Sequence, residues 1–171
     1  AVELPSKIKR VISHYGHIVE DQDFDTLSTK IEEQDFFHEF LFESSRSPCW
    51  LAYPLNLDFE RDYFKLLKST VSDEIKRDKV SSSPIILHGS TGTGKSVALG
   101  RLCYELYSEE KYLVAHIGCQ RDIFDFRVID EICDWAESHS GLTTIICWDG
   151  MCNVDAYQNL SSYLSSRGRK Q

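Results

Sequence analysis

Gly89-Ser90-Thr91-Gly92-Thr93-Gly94-Lys95-Ser96 lies between the apolar run Pro84-Ile85-Ile86-Leu87-His88 and an amphipathic run from Val97 to Tyr107. A short strand, a glycine-rich bend and a helix opening on Lys-Ser form the arrangement that grips a polyphosphate. Glycine lets successive backbone N–H groups turn inward, and the helix start adds free N–H groups and the positive end of its dipole. Gly89, Thr91, Gly92, Thr93 and Gly94 are therefore expected to present N–H groups to phosphate. Lys95 is expected to reach the outer phosphates, and the Ser96 hydroxyl to be one ligand of the accompanying Mg²⁺. A nucleoside triphosphate is the expected ligand.

A second half of the site is expected further along. Gly141 precedes the apolar run Thr143-Thr144-Ile145-Ile146-Cys147-Trp148, which ends on Asp149. An apolar strand finishing on an acid has the form of a Walker B element. In open parallel sheets the ligand lies beyond the carboxyl ends of the strands, so Asp149 is expected on the same edge as Lys95 and Ser96. Its carboxylate would hold Mg²⁺ directly or through water. Lys95 and Asp149 are thus the candidate catalytic residues, and Ser96 and Asp149 the candidate metal ligands.

Around these motifs strands alternate with helices. Tyr112 to Ile117 reads as a strand, 122–138 as an amphipathic helix with Phe126, Ile129, Ile132, Cys133 and Ala136 inward, and 154–165 as a final helix. Alternation of this kind implies parallel pairing through right-handed crossovers and an α/β three-layer domain. The core is placed at residues 80–171. Residues 48–79 are read as a linker strip and a pre-loop helix, with Asp58 as its cap and Phe59, Tyr63, Leu66, Leu67 and Val71 on its inner face. Within the strip, Trp50 and Tyr53 either pack a domain interface or touch an adenine. Residues 1–47 are read as a small helical segment: Ile8, Val11, Ile12 and Tyr15 form one stripe, and Leu27, Ile31, Phe36, Phe37, Phe40 and Leu41 another.

Composition narrows the function classes. A net charge of -8 argues against a protein that wraps nucleic acid, which needs a basic footprint. No apolar segment approaches membrane-spanning length. The six cysteines form no C-x-x-C pair, and are read as reduced thiols of a cytoplasmic protein. His14, His17 and His38 lack partners at metal-like spacing and are read as structural or exposed.

Phe59-x-Arg61 ahead of the phosphate loop, the loop itself, and Trp148-Asp149-Gly150-Met151 together resemble the STAND-type signal-transduction ATPases, relatives of the AAA+ proteins within the P-loop NTPases. The resemblance covers about 57–166. It implies an ATP- and Mg²⁺-dependent switch within a larger signalling or antiviral-defence-type protein, with other domains of the same longer chain as partners and a homo-oligomer as the active state. It also implies a further strand after Lys170, between the phosphate-loop and Walker B strands. The chain, opening on Ala1 and ending on Arg167-Gly168-Arg169-Lys170-Gln171, therefore reads as a fragment cut before its fourth core strand. Cys152 and Asn153 stand where the family often carries acids that orient water, with Asp155 the nearest acid, so slow hydrolysis is expected. Arg121 and Arg127 are the candidate arginines near the site edge. No guanine-reading N/T-K-x-D run occurs, which favours adenine. Two alternatives stay open: a P-loop kinase or transferase with a basic lid formed by Arg167, Arg169 and Lys170, and an interaction module whose nucleotide is structural.

Overall fold

The computed structural model describes residues 4–25, 37–38, 40, 48–77, 84–118, 125–139, 141–151 and 154–169. Its elements run α1 (Ser6–Ile12), β1 (Gly16–Ile18), α2 (Phe64–Lys76), α3 (Lys95–Ser108), β2 (Tyr112–Ile117), α4 (Phe126–His139), β3 (Thr143–Trp148) and α5 (Val154–Ser166), with 3-10 turns at Asp21–Phe24 and Trp50–Ala52.

The β-branched and aliphatic residues of β2 put it at the centre of a three-stranded sheet of order β1-β2-β3. Val114, Ala115 and Ile117 are wholly buried, as a strand covered on both faces requires. β3 pairs with it in parallel from Tyr112↔Thr143 to Ile117↔Trp148, and α4 provides the crossover that parallel pairing needs. The amphipathic face of α4 is driven inward: Ile129 and Ile132 are fully buried, each worth about 1.5–3 kcal/mol in transfer free energy. α1, α4 and α5 cover one face of the sheet, through clusters around Ile12, Ala115 and Ile132 and around Ile117, Ile129 and Leu160. α3, Phe64 and Leu67 of α2, and the Trp50-Tyr53 turn cover the other, around Val114 and Cys147. The result is a mixed α/β architecture in which β2, β3, α3 and α5 agree with the expected spans.

Four expectations need correction. First, the sheet is not wholly parallel. Gly16–Ile18, inside the stretch expected to be helical, pairs antiparallel with β2 from Gly16↔Ile117 to Ile18↔Ala115. Gly16 is required there, since a side chain would collide with the His116 carbonyl. Asp23 then folds the chain away by accepting from the Glu20 N–H and pairing with His17 Nε2, both at 2.7 Å.

Second, Pro84–His88 forms no strand. Among the described residues β3 pairs only with β2, so no strand lies beside this run to supply a ladder. Ile85 and Ile86 are exposed, while Leu87 packs partly into the α3-side cluster.

Third, the pre-loop helix begins at Phe64 rather than after Asp58, and Phe59 and Leu66 face solvent. Asp58 cannot cap because its carboxylate is held by Arg101. Fourth, α4 begins at Phe126 rather than at 122, with Asp125 outside it. In the strip, Trp50, Ala52 and Tyr53 are buried, Trp50 and Tyr53 packing with residues of α3. Tyr53 fills the space left by Gly100, where any side chain would strike the phenol, and Phe40 packs on it edge to face. Trp50 and Tyr53 are thus core residues and not adenine contacts. The helical stripe of Leu27, Ile31, Phe36 and Leu41 lies outside the described residues.

The basic tail is bound to α4 by ion pairs. Arg169 reaches Asp130, Asp134 and Glu137, and Arg167 joins it at Asp130. These carboxylates fall at i, i+4 and i+7 on one face of α4, a spacing that lets one arginine bridge two turns. The tail is thereby pinned to the helix. Cys49, Cys103, Cys133 and Cys147 are free thiols, and among the described residues no helix is long and apolar enough to cross a membrane.

Candidate functional site

Gly92 and Gly94 both take φ +81°, a left-handed conformation open to glycine at little cost. Gly94 occupies it immediately before α3, so the chain turns directly from the bend into a helix whose first residue is Lys95. The bend is braced from within, Thr93 Oγ1 donating to the Ser90 carbonyl at 2.9 Å. Lys95 folds back over it. Its ammonium donates to the carbonyl oxygens of Gly89 at 2.9 Å and Ser90 at 2.7 Å. Lysine, bend and helix start therefore converge, as the spacing implied.

Asp149 is held at the carboxyl end of the sheet because its N–H donates to Ile117 O at 2.7 Å, which carries the parallel ladder one residue past Trp148. Its carboxylate field acts on His116 of β2 and on Cys103 of α3. Burial holds the His116 imidazole below its usual range, and the Asp149 charge opposes that shift. Burial, a hydrogen bond with Cys147 and the charge of Asp149 push the Cys103 thiol far up. Cys147, two residues earlier, packs in the α3-side cluster, and strand alternation puts Asp149 toward the same face. Ser96 is seven residues before Cys103 on that helix, about 10 Å along the axis at 1.5 Å per residue. Among the described residues neither the Asp149 carboxylate nor the Ser96 hydroxyl makes a hydrogen bond or ion pair, and no direct contact joins the two.

Two residues outside the expected site set touch the loop. Tyr63 Oη donates to Thr93 O at 3.4 Å. The Arg61 guanidinium lies against Gly94: a Cβ built there would sit 2.6 Å from its Nε and 2.8 Å from Nη2. Phe59-x-Arg61 is visible in the sequence, but nothing in linear spacing says that this turn meets a bend thirty residues on.

The remaining candidates separate. Arg127 binds Asp125 through Nε at 2.9 Å and Nη2 at 2.7 Å, while Arg121, Cys152 and Asn153 lie outside the described residues. Among the described residues no group of three His, Cys, Asp or Glu side chains is placed to hold a metal by itself.

Compared with models of protein families, with curated proteins and with solved structures, the chain matches none.

Proposed function

We propose that the chain is an ATP-binding, Mg²⁺-dependent switch of the STAND or AAA+-like type, with slow hydrolysis. The observation that carries this reading is Lys95 at the first position of α3, its ammonium folded over the carbonyls of a bend that Gly94 turns into the helix. In this reading the loop N–H groups from Gly89 to Gly94 bind phosphate oxygens, and Lys95 exchanges its two carbonyl partners for the outer phosphates. The hydroxyl of Ser96 and the carboxylate of Asp149, both without partners among the described residues, suit a hard cation that takes oxygen ligands and completes its shell with phosphate and water. Bound there, Mg²⁺ would neutralise charge on the transferring phosphoryl group. The protein's own part is positioning.

Slow turnover is favoured by the engagement of Arg127 with Asp125, which leaves it no free fork for a phosphoryl oxygen. Arg167 and Arg169 are likewise held by α4, so they favour no basic lid of a transferase.

The test is calorimetric titration of the chain with ATP and Mg²⁺, beside Lys95→Ala. Saturable binding that the substitution abolishes supports the switch; absence of binding by the wild type rejects it. Turnover that depends on an added acceptor would indicate a transferase instead.

A further inference from the structure

We propose that Arg61 is a second phosphate-binding cation of the same loop, acting beside Lys95; this rests on the nucleotide reading above. Four observations point to it.

The first is position. The guanidinium lies against Gly94, where a Cβ would come within 2.6 Å of its Nε and 2.8 Å of its Nη2. The second is that its donors are free. Arg77, Arg101, Arg127, Arg167 and Arg169 each hold a carboxylate, whereas among the described residues Arg61 makes no ion pair or side-chain hydrogen bond. A guanidinium offers five N–H donors in a planar fork matched to phosphate oxygens. The third is anchoring. The Arg61 carbonyl accepts from Phe64 N–H at 2.8 Å, Phe64 and Leu67 are buried, and Tyr63 reaches Thr93. The turn that carries Arg61 is thus attached to the core and to the loop, so its backbone has less freedom left to lose on binding.

The fourth observation is electrostatic. Arg61 and Lys95 flank Gly94 together with the positive end of α3, and neither cation has an anionic partner among the described residues. An arrangement of like charges at one bend is relieved by an anion bound between them. Phosphate matches both the fork of the arginine and the point charge of the lysine.

The experiment uses a fluorescent ATP analogue with Mg²⁺, displaced by ATP or by inorganic triphosphate, on the full chain and on Arg61→Ala, Arg61→Gln, Arg61→Lys and Lys95→Ala. Loss of a charge-assisted contact should weaken ATP and triphosphate in parallel, by about tenfold or more for Arg61→Ala and Arg61→Gln. Arg61→Lys should recover part of the loss. Arg61 is solvent-exposed, so thermal unfolding by circular dichroism should match the wild type. Binding that survives Arg61→Ala but not Lys95→Ala overturns the role of Arg61 and leaves the nucleotide site standing. ATP weakened without triphosphate overturns it too, since Arg61 would then touch the nucleoside. So does a failure of triphosphate to displace the analogue from the wild type, or weakening that tracks a fall in melting temperature. A wild type that does not bind ATP sinks the site itself.

Discussion

Arg101 on α3 clasps Asp58 on the strip that precedes it, donating through Nε at 2.9 Å and through Nη2 to the second carboxylate oxygen. Only 14% of the arginine and 3% of the aspartate side chain is exposed. Arg101 also stands over the rings of Tyr53 and Tyr104, so the pair joins the strip to α3 at a largely dry seam. Breaking such a pair by removing one partner costs about 3 kcal/mol or more, because the other charge is left buried and alone. Asp58→Ala and Arg101→Ala should each lower the unfolding free energy measured in urea by that order, and the double substitution should cost less than their sum.

Gly100 and Tyr53 make a second seam on the same helix. Gly100→Ala places a methyl group in the phenol, and overpacking of this kind costs about 1–3 kcal/mol. Its melting temperature should fall below that of the wild type, although alanine favours helix over glycine. A melting temperature above the wild type would refute the close packing.

Asp149 and Ser96 can be separated from Lys95 by cation dependence. If both hold Mg²⁺, ATP affinity of the wild type should rise when Mg²⁺ replaces EDTA, and Asp149→Asn should abolish most of that rise while retaining metal-free binding. Equal Mg²⁺ enhancement in the variant and the wild type would remove Asp149 from the metal site.

The tail clamp should respond to acid. Burial opposes ionisation of Asp130, but hydrogen bonds from Arg169 and Arg167 outweigh it and keep the carboxyl below the usual aspartate range. A carboxyl whose folded pKa is depressed contributes stability that is fully present above its unfolded pKa, near 3.9, and lost as pH falls through the folded value. Asp130→Asn should therefore be less stable than the wild type at neutral pH and flatter between about pH 5 and pH 2 in denaturant titrations. An acid limb that keeps its slope in the variant would show that the clamp does not carry it.

What could be read from the chain followed the range over which each signal acts. β2, β3 and α3 were legible to the residue or nearly so, because apolar runs bounded by Gly118, Gly141 and Gly94 fix strand and helix ends locally. Lys95 and its bend were legible for the same reason. β1 was not: three residues carry too little periodicity, and its cause is the exposed edge of β2 far along the chain. The helix after Asp58 was misplaced because a capping aspartate and one claimed by an arginine forty-three positions away look identical in sequence. Leu66 was assigned inward by helical spacing, yet the core is reached by Phe64 and Leu67. Arg61 stands in a motif visible in the sequence, but only the turn at Tyr63 brings it to the loop.

The pairing of Gly16 with Ile117 joins the beginning of the chain to its middle, so the sheet cannot be completed until about one hundred residues have been drawn into a closed loop. Contacts of such long sequence separation are entropically delayed and slow the approach to the native state. Folding is then expected to proceed from the β2-α4-β3 crossover outward, with the first strand zipping on last. A chain shortened past Ile18 would retain the crossover but leave β2 with bare N–H and C=O groups, an invitation to pair with a neighbouring molecule.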